Sequence, residues 1–101
     1  MGRMMPEASA PLFAPQTRPR LMRGVRLHRD ETRGVWLLLA PETIFEVNGT
    51  AVEILHRCTG AHTLAEVIDS LTLASAQPRA RIAQDVEALV QVLRDKRLMD
   101  L

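Results

Sequence analysis

The chain has 101 residues, 47% of them apolar and 25% charged, which bounds it to one small globular domain and excludes a disordered polyelectrolyte. A net charge of +1, no tyrosine, and Trp36, Phe13 and Phe45 as the aromatic residues leave few surfaces on which nucleic-acid bases would stack. The single cysteine, Cys58, excludes an intrachain disulfide. The longest apolar run, "VWLLLA" at 35–40, is too short to cross a bilayer, and no apolar signal segment follows the first methionines, so the expectation is a reducing, cytoplasmic setting with no membrane partner.

Charge is unevenly placed. Residues 1–33 carry seven arginines against Glu7, Asp30 and Glu31, whereas residues 34–101 carry six bases against nine acids. The first twenty residues, "MGRMMPEASAPLFAPQTRPR", hold Pro6, Pro11, Pro15 and Pro19, a density that blocks helix propagation and removes ladder donors. They predict a flexible Pro-rich arm over 1–20 ahead of a domain over 21–101, with "MM" and "LF" as apolar tips that either dock or stay solvated.

In "VRLHRD" (25–30), Val25 and Leu27 alternate with Arg26 and His28 as in a half-buried strand. "ETRG" reads as a turn and "VWLLLA" as a more deeply buried strand that Pro41 ends. "TIFEV" (43–47) predicts a third strand, with Thr43, Phe45 and Val47 on one face and Ile44 and Glu46 on the other. Asn48 is a good N-cap for a helix over 49–59, where Ala51, Val52, Ile54, Leu55 and Cys58 share one face and Gly60 supplies the left-handed end. "TLAE" (63–66) has the form of a capping box opening a helix over 64–73. After Pro78, Ile82, Val86, Leu89 and Leu93 form a stripe at helical spacing, which predicts a third helix over 79–96. The order is that of an α+β fold, an N-terminal three-stranded antiparallel sheet followed by three helices, winged-helix-like in outline.

Chemistry is hard to place on this frame. His56, Cys58 and His62 are the best metal candidates, but the stop at Gly60 separates His62 from the others, and residues two apart on a helix diverge. The five glycines are scattered singly, so no loop cradles a phosphate, and no pair of carboxylates has the spacing of an acid and a base. The expectation is no catalytic residue, no metal and no cofactor. A winged-helix DNA-binding reading stays open as an alternative, although Asp85 and Glu87 on the third helix would repel phosphates.

The stretches "PETIFEVNGTAVEILHRCTG", "HTLAEVIDSL" and "IAQDVEALVQVLRDKRLM" resemble, in that order, the D-type protein family of pyrroloquinoline quinone biosynthesis, whose members are RiPP recognition elements. The resemblance spans about residues 19–99. It is carried by Pro41, Glu42, Asn48, Ala51, Ile54, Leu55 and Gly60, then Thr63, Glu66 and Ile68, then Asp85, Val86 and Leu93. One departure is Arg97, where the family usually has glycine. The resemblance implies a non-catalytic peptide chaperone that binds a ribosomal precursor peptide by strand addition and presents it to a radical S-adenosylmethionine enzyme. It also implies that the peptide lies between the third strand and the third helix. On this sequence, Thr43, Ile44, Phe45, Glu46 and Val47 would pair with the peptide, and Asp85, Val86, Leu89 and Val90 would bound it. A homodimeric structural module using the same strand edge is the alternative of another class, and it need not exclude peptide binding.

Overall fold

The computed structural model describes residues 12–101. Its strands are β1 (Arg20–Leu21), β2 (Arg26–Asp30), β3 (Val35–Leu39), β4 (Ile44–Val47) and β5 (Met99–Asp100), and its helices are α1 (Gly49–Arg57), α2 (Leu64–Leu73) and α3 (Arg79–Asp95). The main sheet is antiparallel in the order β2-β3-β4, followed by the three helices, as the α+β pattern predicts. The first and last strands add a feature that two-residue segments cannot announce: β1 pairs with β5, Arg20 opposite Asp100 and Leu21 opposite Met99, which joins the segment before β2 to the one after α3.

One face of the sheet is covered. The paired residues Leu27, Leu38 and Phe45 lie on that face, against a core that includes Ile54, Leu55, Leu64, Val67, Val86, Val90 and Leu93. The opposite face holds Val35, Leu37 and Leu39, which stay only partly buried and outside that core. Val35–Leu39 is more deeply buried than β2, as expected, but not buried on both faces. Leu38 alone is fully buried there, because all three helices pack on a single side.

The helix ends follow their caps. The Asn48 side chain accepts from the Ala51 N–H at 2.8 Å, and α1 stops at Arg57, two residues short of the expectation, with Cys58 as its C-cap. The Thr63–Glu66 capping box closes in both directions, at 2.8 and 3.1 Å. This holds the exposed Glu66 carboxyl below the usual carboxylate range, chiefly through the Thr63 backbone N–H it accepts from. α3 ends at Asp95, and Arg97 takes the left-handed conformation itself, with φ 61°. The Arg97 N–H donates to the Arg94 carbonyl and the Leu98 N–H to the Leu93 carbonyl, at 2.9 and 2.8 Å. That is a Schellman ending, with Leu98 and Leu93 both buried beneath it, formed here without the glycine that usually relieves its strain.

Residues 1–11 of the predicted arm lie outside the described residues. The remainder runs along the helices: Leu64 and Ala65, whose N–H groups are orphans of the first turn of α2, donate to the carbonyls of Thr17 and Pro15 at 2.7 and 3.0 Å. The Leu12 N–H donates to Glu87 at 3.0 Å, and the Arg94 guanidinium sits 5.0 Å from the centre of the Phe13 ring. Gly60 (φ 86°) passes close to Arg20, where a Cβ would meet the arginine side chain at 3.2 Å.

Candidate functional site: an open strand edge and the groove beside it

A three-stranded sheet has two edges, and the chain treats them differently. β2 carries Arg26, His28, Arg29 and Asp30, a charged edge of the kind that discourages pairing. β4 carries only Glu46 among Ile44, Phe45 and Val47, and among the described residues no strand lies on its outer side.

The register shows which groups that edge leaves unused. The Ala40 N–H donates to the Thr43 carbonyl at 2.9 Å, closing the turn, and hydrogen-bonded pairs then recur at every second position of an antiparallel ladder. Phe45 opposite Leu38 and Val47 opposite Trp36 are therefore the bonded pairs. Ile44 and Glu46 fall between them, so their N–H and C=O groups point away from β3, toward the open side. Thr43, expected in the strand, is used by the turn. Phe45 and Val47 are partly buried on the core face, whereas Ile44 is 65% exposed and Glu46 is exposed on the other.

α3 forms the opposite wall. Asp85, Leu89, Val92 and Lys96 recur at spacings of four, three and four, one continuous stripe on a helix. The Lys96 ammonium lies 5.6 Å from the centre of the Phe45 ring, which places the stripe's carboxyl end beside the start of β4. At its amino end, Asp85, Val86 and Ile82 line a hollow of about 260 Å³ with Thr50, Glu53 and Ile54 of α1. α1 follows directly from β4, so the groove beside β4 leads from Lys96 toward this hollow, which Leu71 of α2 and Ala74, Ser75 and Gln77 after it close on the other side.

The residues expected to bound a peptide are thus only partly together. Asp85 is exposed and Leu89 partly exposed along the groove, and Val86 belongs to the core that floors the hollow. Val90 does not reach the groove: it is 0% exposed, because it stands four residues from Val86 on the same buried line. Lys96 and the 48% exposed Val92 take part in its place, and their spacing from Asp85 was the signal available to find them.

The other chemical candidates lead elsewhere. Cys58 is buried in the core, and desolvation pushes its thiol up to about 11. His56 presents its ring edge-on to Trp36, with centroids 5.5 Å apart, and among the described residues no three His, Cys, Asp or Glu side chains gather as metal ligands. No described helix is long and apolar enough to cross a membrane.

A β4 edge with no strand beside it among the described residues, next to a groove floored by apolar side chains, defines a domain built to receive an extended segment. The chain belongs to the family of coenzyme PQQ synthesis protein D, PqqD, whose profile matches residues 36–99. It is similar to the PqqA binding protein of Rhodopseudomonas palustris strain HaA2, 47% identical over 81 residues that cover 80% of this chain and 79% of that one. Among solved structures it resembles the PqqD portion of Methylobacterium extorquens PqqCD, a stand-alone RiPP recognition element (TM-score 0.75, 34% identity, 94% and 99% of the two chains). A lasso peptide synthetase B1 complexed with its leader peptide shares the fold, with a TM-score of 0.70 at 24% identity over 83% and 99% of the chains.

Proposed function

We propose that this protein binds the PqqA precursor peptide by adding it as a fourth strand along β4 and presents it to a radical S-adenosylmethionine enzyme, without catalysing a reaction itself. The observation that carries the reading is the pair of outward backbone positions, Ile44 and Glu46, on an edge with no strand beside it among the described residues. They offer two donors and two acceptors. At about 0.5 to 1.5 kcal/mol net for each hydrogen bond, and roughly 1.5 to 3 kcal/mol for an apolar anchor settling in the groove, a micromolar complex is within reach after the ordering cost of the guest. The sequence relative named for PqqA binding supports the identity of the guest, and the resemblance stated above supports that of the enzyme. The setting is the cytoplasm, in keeping with a single buried cysteine and no disulfide. Trp36, the only tryptophan, pairs with Val47 and so serves as an intrinsic probe. A titration with synthetic PqqA should give a saturable change in its fluorescence; no change in fluorescence or in heat at saturating peptide would refute the proposal.

A second reading, self-association, is favoured by the uncovered sheet face, where Val35, Leu37 and Leu39 adjoin the exposed Ile44. Sedimentation at rising concentration tests it: a mass that stays that of one chain would exclude it.

A further inference from the structure

The groove is not electrically uniform. Lys96 stands at one end, its ammonium over the Phe45 ring, and Asp85 stands at the other, on the rim of the hollow. Neither belongs to an ion pair among the described residues, whose pairs use Arg29, Arg33, Arg57, Arg79 and Arg94 as the cations. Glu53, also on the hollow, is engaged by Arg57 at 3.0 Å, so Asp85 is the uncompensated acid there. Glu42 lies in the turn that leads into the Lys96 end, and Arg81 stands one turn before Asp85 on the same face of α3 but forms no ion pair with it.

Helix and strand geometry convert this into a spacing. Lys96, the C-cap of α3, stands eleven positions after Asp85, about 16 Å along the axis at 1.5 Å per residue. An extended guest advances about 3.3 Å per residue and shows every second side chain to the same wall, so positions four or six apart, roughly 13 or 20 Å, bracket that distance.

We infer that the groove selects its peptide by charge as well as by backbone pairing, taking a segment with an acidic side chain over Lys96 and a basic one beside Asp85, four or six residues apart. The inference rests on the strand-addition reading and adds its specificity. If the guest continues the antiparallel pattern of the sheet, it runs from the hollow toward Lys96, and the basic residue comes first.

The test is PqqA binding by the wild-type chain and by Lys96→Glu and Asp85→Lys. Each reversal should weaken binding about three- to tenfold at low ionic strength, since an exposed attraction becomes a repulsion of like size, and the loss should shrink as salt is raised. The neutral variants Lys96→Gln and Asp85→Asn, with smaller losses, carry the test should a reversal fail to fold. Replacing the acidic residues of PqqA by lysine one at a time should find a single position that restores binding to Lys96→Glu. Wild-type binding with both reversals within twofold of it would overturn the charge inference alone. Absence of wild-type binding would overturn the strand-addition reading beneath it.

Discussion

Proline substitution along β4 separates a guest-binding edge from a merely structural strand, because alternate residues of the strand use their N–H groups for different partners. The Phe45 and Val47 N–H groups serve β3, while those of Ile44 and Glu46 face the open side. Ile44→Pro and Glu46→Pro each remove one outward donor at a position where proline costs no bond within the sheet, and edge strands tolerate proline there. Losing one hydrogen bond of about 0.5 to 1.5 kcal/mol corresponds to a roughly two- to twelvefold rise in the Kd for PqqA, and the ring's own contact with the guest adds to it. Glu46→Pro also removes an exposed 3.5 Å contact with Arg33, an interaction worth little, and Glu46→Gln controls for it. Phe45→Pro should instead lower the melting temperature, since it deletes a donor to Leu38 inside the sheet. Calorimetric titration together with thermal melts reads all four variants. Ile44→Pro and Glu46→Pro proteins that stay folded and bind PqqA within twofold of wild type would refute the reasoning.

Three further outcomes follow from the cited geometry. Arg97→Gly should raise stability by about 0.5 to 1 kcal/mol in urea unfolding, because relief of a left-handed arginine outweighs the added freedom of glycine in the unfolded chain; a fall in the urea midpoint would contradict that. Cys58, raised by burial from 9.0 to about 11, favours the folded state below its ordinary value, and this contribution should disappear as pH climbs from about 9 through 11; Cys58→Ala should lack that alkaline loss, and native protein at neutral pH should resist alkylation until unfolded. Glu66 is shifted the other way, so its contribution is present above the ordinary carboxylate pKa and lost as pH falls through the lowered one. Glu66→Gln should therefore flatten the acid limb of the stability profile, which equilibrium unfolding at a series of acidic pH values would check.

Much of this fold was legible because its signals are local. Asn48, the Thr63–Glu66 pair and Pro78 each mark a helix start through a backbone donor or a fixed φ, and each stands where the spacing predicts. What escaped depends on tertiary placement. "VWLLL" gives the same apolar run whether a sheet is covered on one face or two, and only the packing of all three helices on one side leaves Leu37 and Leu39 half-exposed. β1 and β5 are too short to carry a period, and their pairing is a contact between residues about eighty positions apart. On α3, Val90 stands beside the Ile82–Val86–Leu89–Leu93 stripe in sequence, but its phase with Val86 buries it, whereas the spacing of Lys96 from Asp85 and Leu89 puts it on the groove wall. At Arg97, the missing glycine raised the question of how α3 ends, and the answer is that arginine adopts the glycine conformation and the helix keeps its Schellman stop.

Strand addition makes its sharpest claim about two amide protons. Hydrogen exchange followed by NMR, with and without saturating PqqA, reads them directly. The account predicts that the Ile44 and Glu46 amides, which point to the open side, exchange fast in the free protein and become strongly protected in the complex, while those of Phe45 and Val47, already bonded to β3, change little. Protection that leaves Ile44 and Glu46 unchanged while PqqA is bound would contradict it.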